Sequence, residues 1–318
     1  MQKVSIIISA YNEEKNINPL YLDLCEVLSE IKLDSEIIFV NDGSTDRTLL
    51  YCRELQKSDQ RVKIVNLTRN FGHEIAMIAG TDYATGDAVI FMDADLQHPP
   101  RYIKDMINMW QSGNKIVLTH RRSNADNNLI HRLFSGLFYG LLNFLSDVKI
   151  PRATPDFRLI DKKYIDFLKR FDERDSMFRG TLSLVCDVSK APVIKFDAPR
   201  RRAGKSKYNF IPSIKLAVNG ITQFSVRPLH LAMYFAIVMG LLSGSLGMYA
   251  IIERFFLKNP TPGYATIISA ITFTGAIILF VLAILGMYIG KIHIETKKRP
   301  LYFAEYIEKY DEDNNKRG

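Results

Sequence analysis

Residues 91–100 read FMDADLQHPP: an apolar run from Ala88 to Met92 delivers two carboxylates, one residue apart, into a stretch broken by Pro99 and Pro100. Side chains at i and i+2 of an extended segment share a face. Asp93 and Asp95 therefore reach for one place, and they repel unless something positive sits between them. Hard divalent cations such as Mg²⁺ or Mn²⁺ take oxygen ligands and commonly bridge a carboxylate to substrate phosphates. Asp93 and Asp95 are the candidate ligands, and Gln97 offers a further carbonyl oxygen from the next turn. A solvent-facing acidic turn is the plain alternative, because Asp-x-Asp is short enough to arise by chance.

Two more acidic turns accompany it, Ser-Ala-Tyr-Asn-Glu at 9–13 and Asn-Asp-Gly-Ser-Thr-Asp at 41–46. Acidic residues at strand ends accept hydrogen bonds from base or ribose in nucleotide-binding folds, which makes Asp42 a candidate; Tyr11 offers a face for stacking. No G-x-G-x-x-G follows the first strand and no G-x-x-x-x-G-K-[ST] occurs, so neither dinucleotide nor P-loop chemistry is supported.

The elements that must position these residues alternate along the chain. Strand-like KVSIIISAY, EIIFVNDGS, VKIVNLT, DAVIFMDAD and KIVLTH are separated by helical stretches at 13–31, 46–58, 73–84 and 100–112. Such alternation predicts an α/β fold, a doubly wound and mostly parallel sheet covered on both faces. Ligands of these sheets sit beyond the carboxyl ends of the strands, where all three acidic turns fall. Trp110 and the methionines read as core, and His73 as a structural residue at a helix start. The segment at 299–310 reads as a strand that could dock on a neighbouring subunit of a homo-oligomer.

Composition sets the surroundings. A net charge of +8 favours an anionic partner. The three cysteines, Cys25, Cys52 and Cys186, lack metal-ligand spacing and read as reduced thiols. Met1 leads straight into a strand, without the pattern of a signal peptide. The stretches 231–252 and 259–290 hold no charged residue, and each exceeds the roughly 20 residues that cross a bilayer. Their flanks carry Arg227, Lys291, Lys297, Lys298 and Arg299, against Arg254 and Lys258 in the link. Positive-inside bias then predicts a hairpin with spans at about 229–252 and 264–290, both termini cytosolic and a cytosolic tail at 292–318. Residues 1–227 form the expected cytosolic domain. Within it, 129–146 and 209–226 show one-sided apolar periodicity, read as helices lying in the membrane interface or, alternatively, packed on the sheet. The bilayer accounts for the positive charge better than nucleic acid does.

SAYNE, VNDGSTD, NLTRNFGHEIAMIAG, DADLQHPP, DFRLID and RRAGKSKY occur in the order found in family 2 glycosyltransferases of GT-A fold, and the chain resembles their polyisoprenyl-phosphate branch over nearly its whole length. That branch includes dolichol-phosphate mannose synthases and bactoprenol glucosyltransferases. The resemblance implies sugar transfer from a nucleotide diphosphate to the phosphate of a membrane polyprenol, aided by Mg²⁺ or Mn²⁺. Carried over residue by residue, it implies nucleotide binding by Ala10, Tyr11, Glu13, Asp42, Asp93 and Ala94. It assigns metal ligation to Asp93, Asp95 and Gln97, and catalytic roles to Asp95 and to Asp156 of DFRLID. Arg121, Arg132, Arg201, Ser206 and Lys207 would surround donor or acceptor phosphates. The chain departs from the family pattern at Pro155, His98, Arg101 and Lys205.

A phosphate monoester is mostly ionised at neutral pH, its second pKa being about 6, so the acceptor needs little help from a base. Leaving-group stabilisation is the larger demand, met by the metal and by cations such as those of PRRRAGKSKY at 199–208. The expected reaction is an inverting single displacement making undecaprenyl-phosphate glucose from UDP-glucose. UDP-N-acetylglucosamine, UDP-galactose, GDP-mannose and a UDP-aminoarabinose type are the alternative donors. A processive polysaccharide synthase is disfavoured because Trp110 lies in NMWQ rather than in Q-x-x-R-W. A non-catalytic membrane-anchored nucleotide-binding scaffold is disfavoured by the presence of Asp93, Asp95 and Asp156 together.

Overall fold

The structure, a computed structural model, describes residues 2–121, 155–169, 182, 190–197, 225–252 and 263–308. The chain divides into two compact units.

The first unit is built on a sheet. Its strands are β1 (Lys3–Ala10), β2 (Asp34–Asn41), β3 (Val62–Leu67), β4 (Ala88–Asp93), β5 (Ile116–Arg121), β6 (Arg158–Asp161), β7 (Val193–Phe196) and β8 (Ala304–Glu308), in the order β7-β5-β6-β4-β1-β2-β3-β8. The central β3-β2-β1-β4 set is parallel, as the strand–helix alternation predicts. Among the described residues its helices include α1 (Ile17–Ser29), α2 (Thr48–Ser58), α3 (His73–Tyr83), α4 (Ile103–Gln111) and α5 (Lys162–Leu168). Ile6, Ile7 and Ile8 are all fully buried, the mark of a strand covered on both faces. Alternate residues take opposite sides: Ile6, Ile8, Ile37 and Phe39 pack with Leu20 and Leu24 of α1. Ile7, Ile38 and Val40 pack with Ala76 and Met77 of α3. Trp110 belongs to the first of these cores, and its indole N–H donates to Asp161 at 2.9 Å.

The outer strands differ in direction. β6 runs antiparallel to both β4 and β5, which brings Asp156, just ahead of it, to the carboxyl end of β4. The segment expected to dock on a neighbouring subunit instead forms β8, which pairs antiparallel with this chain's own β3. Tyr302 reinforces that docking by donating its hydroxyl to Asp82 at 2.8 Å. Part of the predicted tail is thus a sheet element.

At the amino end of the strands Glu36 is buried and fully engaged. It accepts from Ser5 Oγ at 2.5 Å, Lys63 Nζ at 2.6 Å and the Thr85 N–H at 2.6 Å, and Lys3 lies 3.0 Å away. Burial alone would raise this carboxyl; the bonds from Lys63, Ser5, Thr85 and Lys3 outweigh it and lower the pKa to about 2.

The second unit contains α6 (Arg227–Ile252) and α7 (Tyr264–Thr296), each with a stretch long and apolar enough to cross a membrane. Large side chains on both, among them Leu241, Ile271 and Leu279, are exposed, a surface that water does not tolerate in bulk. Phe235 meets Phe280 edge-on at 6.3 Å, and Tyr288 donates its hydroxyl to the Ser225 carbonyl at 2.6 Å. Helix α7 runs beyond residue 290, where the sequence suggested the span would end. The predicted interfacial helices (except residues 225 and 226), the 253–262 link, and Arg132, Arg201, Ser206 and Lys207 lie outside the described residues.

Candidate active site

β4 ends at Asp93, and the turn beyond it is fixed from within. The Asp93 N–H donates to His98 Nδ1 at 3.0 Å, and Asp95 Oδ1 accepts the Gln97 N–H at 3.0 Å. Leu96, between them, has φ 62°, a left-handed conformation that costs a branched side chain free energy and marks a constrained turn. His98 is buried, stacked on Phe157 at 5.2 Å with Phe196 at its edge. Accepting at Nδ1 leaves the ring proton on Nε2, and burial lowers the pKa of the ring. Where the family pattern has an acid, this chain has a wedge that braces the Asp93 backbone.

The expected ligands come to one turn, with a qualification for Gln97. Its Oε1 accepts from Arg121 Nη1 at 3.3 Å, bringing the predicted phosphate-binding arginine to the same turn. Among the described residues no three His, Cys, Asp or Glu side chains converge into a closed cage. Asp93 and Asp95 offer instead the hard oxygen donors of an open site that substrate phosphates would complete, which fits Mg²⁺ or Mn²⁺.

The donor turns are laced together. Asn12, at φ 56°, accepts the Thr45 N–H on its Oδ1 at 2.8 Å, and the Glu13 N–H donates to Thr48 Oγ1 at 2.8 Å. Glu13 takes Asn16 Nδ2 at 2.5 Å, so its carboxylate supports the start of α1. Tyr11 is exposed, as a stacking platform needs. The Ala10 carbonyl accepts the Asp42 N–H at 2.9 Å, and the Ala94 N–H donates to the Ser9 carbonyl at 3.1 Å. Asp42, expected to contact base or ribose, also has a part in shaping the site. It is buried and accepts the N–H groups of Phe71 at 2.7 Å and Gly72 at 3.0 Å, clamping the loop before α3. Gly43 lets that loop come close: at φ +64°, a Cβ there would land on the Arg69 carbonyl carbon and the Asn70 nitrogen.

The clamp aims His73, the first residue of α3, into the site. Its Nδ1 pairs with Ser9 Oγ at 2.7 Å, and its Nε2 faces Asp156 Oδ2 at 3.1 Å and Asp93 Oδ1 at 3.3 Å. Arg158 donates to the other Asp156 oxygen, and both residues are buried. Burial would lower the His73 pKa, but the hydrogen bond to Asp156 and the Asp93 charge outweigh it and raise it. The structure brings Asp156 and Asp93 together with His73, which the sequence reads as structural, and with Ser9 and Arg158, which it does not single out. The missed signal was positional: strand carboxyl ends and helix starts of a parallel sheet face one crevice.

An α/β domain whose acidic turns gather at the carboxyl ends of a parallel sheet has the site layout of ligand-binding α/β folds, and comparison with known proteins specifies its class. Residues 5–168 match Glycosyl transferase family 2. The chain belongs to that family and is a glycosyltransferase of GT-A-like fold. It is 39% identical over 302 residues to the "Uncharacterized glycosyltransferase YkcC" of Bacillus subtilis (strain 168), covering 95% of this chain and 93% of the relative. Identity is 36% over 308 residues to the "Prophage bactoprenol glucosyl transferase homolog" of Escherichia coli (strain K12), covering 96% of this chain and all of the relative. It is 37% over 304 residues to the "Bactoprenol glucosyl transferase" of Shigella phage SfX, covering 95% and 99%. Among solved structures, glucosyl-3-phosphoglycerate synthase from Mycobacterium tuberculosis overlays 70% of this chain and 80% of its own, at TM-score 0.48 and 17% identity, too distant a likeness to carry anything about ligands.

Proposed function

We propose that this protein transfers glucose from UDP-glucose to the phosphate of a membrane polyprenol, undecaprenyl phosphate, by a single inverting displacement at the cytosolic face of a bilayer. The observation that carries this reading is the match, at 36–37% identity, to relatives named bactoprenol glucosyl transferase over 95–96% of the chain. That extent takes in the sheet unit together with both apolar helices.

In this reading Tyr11 stacks on the base and the 41–46 turn borders the nucleoside. Asp93 and Asp95, with Gln97 at the margin, would hold a divalent cation, which when bound supplies charge neutralisation for the diphosphate leaving group. Arg121 stands beside that turn to share the phosphate charge. Asp156 provides a negative charge near the reacting centre, where an oxocarbenium-like transition state gains positive charge. The two apolar helices keep the sheet unit at the surface from which a lipid phosphate emerges.

The deciding experiment incubates the detergent-purified protein with undecaprenyl phosphate and each labelled nucleotide sugar, then counts label in the organic phase. Lipid-linked label from UDP-glucose is expected. Label from UDP-N-acetylglucosamine, UDP-galactose, GDP-mannose or a UDP-aminoarabinose instead would replace the donor and keep the acceptor. No labelled lipid from any donor would refute the acceptor.

A further inference from the structure

His73 is held at both ring nitrogens, by Ser9 on one side and by two carboxylates on the other. A ring fixed at two points has lost its rotation about χ2, so Nε2 occupies one place relative to β1, β4 and the entrance to β6. The backbone behind it is equally constrained, because Asp42 holds the N–H groups of Phe71 and Gly72. The aim of the ring is therefore set by the fold rather than by ligand.

Asp156 shows what that aim achieves. One carboxylate oxygen takes Arg158 and the other takes His73, and the residue is buried. A carboxylate gripped through both oxygens is badly placed to swing towards a proton and well placed to present a fixed charge. The acceptor phosphate has little proton to give, so the chemistry asks for the fixed charge rather than the swing. Asp93 faces the same Nε2, so the imidazole also separates two carboxylates that would otherwise repel.

We propose that His73 is a positioning residue of the transfer reaction: anchored on Ser9, it fixes Asp156 against the Asp93 turn, and Asp156 acts as a stationary negative charge rather than as a base. The proposal rests on the assignment of Asp156 to the transfer step. His73 works through Asp156, so its effect lies in turnover and not in donor affinity.

The test compares steady-state lipid-linked sugar formation by the full-length wild type, His73→Ala, His73→Gln, Asp156→Asn and the double variant His73→Ala/Asp156→Asn. His73→Ala is expected to lower kcat about 30-fold or more, with the KM for nucleotide sugar changed less than about threefold. The Gln amide N–H reaches towards the same oxygen, so His73→Gln recovers a substantial part of the loss. The double variant is no slower than Asp156→Asn alone, as expected of residues acting as one unit. Calorimetric binding of UDP with Mn²⁺ stays within about threefold of wild type for His73→Ala.

Three results would overturn the inference: kcat within about threefold of wild type, a raised KM at unchanged kcat, or a multiplied loss in the double variant. Should His73→Ala fail to fold, His73→Gln and Ser9→Ala carry the comparison. Ser9→Ala, which leaves the ring held from one side only, should then lower kcat at unchanged KM, and unaltered kcat in both would refute the role. A wild type that makes no lipid-linked sugar sinks the proposed acceptor and this inference together. A working wild type with any of the three contrary results sinks the inference alone.

Discussion

At the scale of single residues, the site turns on what holds each carboxylate in place. Asp95 accepts one backbone N–H inside its own turn, and Asp93 faces His73. Removing the Asp95 carboxylate would delete a donor to the proposed cation without opening a core. Asp95→Ala should therefore lower lipid-linked sugar formation at least about 100-fold while leaving the melting temperature within a degree or two, because it lies on a surface turn. EDTA should stop the wild-type reaction, and Mg²⁺ or Mn²⁺ should restore it. Activity that survives both treatments would rule out the metal assignment. Asp-x-Asp alone is too short to be specific, but the residues of the proposed chemistry, Asp93, Asp95 and Asp156, are readable in sequence because their motifs occur together and in order with others. His73 and His98 are not: a lone histidine beside a glycine or a proline carries no statement of what its ring faces. For His98 the answer is Phe157, some 60 positions away, and only β6 packing against β4 brings the two together.

Secondary-structure elements were the most legible part of the chain. Four parallel strands fall where the apolar runs place them, because a strand covered on both faces must be apolar throughout. Direction at the sheet margins was illegible. β6 is four residues long, and β8 comes after two apolar helices, so neither carries a local sign of its partner. Glu36 supports the central set from the amino end. Its folded pKa of about 2 lies below the ordinary 4.5, so its contribution is present above about pH 4.5 and is lost as pH falls through about 2. Glu36→Gln is predicted to cost on the order of 3 kcal/mol at pH 7, because Lys63 and Lys3 lose their shared partner. Denaturant melts from pH 7 down to 2.5 should show the two proteins converging. A constant gap would mean that the charge on Glu36 is irrelevant to stability.

For the whole molecule, connectivity constrains topology. Strands β1 to β7 precede α6, and β8 follows α7, yet all belong to one sheet. If α6 and α7 both cross a bilayer, the chain must leave and return on the same side. A cysteine introduced at Asn259, in the link, should react in intact cells with a membrane-impermeant maleimide, and one at exposed Lys57 only after lysis. Labelling of both in intact cells, or of neither, would refute the two-span arrangement. The apolar lengths were readable by inspection, whereas the return of the tail to the sheet was not, since a short strand after a helix has no sequence mark of its destination.

That return also fixes an order of events during synthesis. β3 emerges from the ribosome early, and its outer edge finds no partner until residues 304–308 follow. Both apolar segments are made in between, so the sheet stays open along that edge until they have been synthesised. An unpaired edge of this kind is where strands of different chains join wrongly. Completion of the sheet thus becomes a late step, and a chain stalled before residue 304 is left with an adhesive margin rather than a finished enzyme.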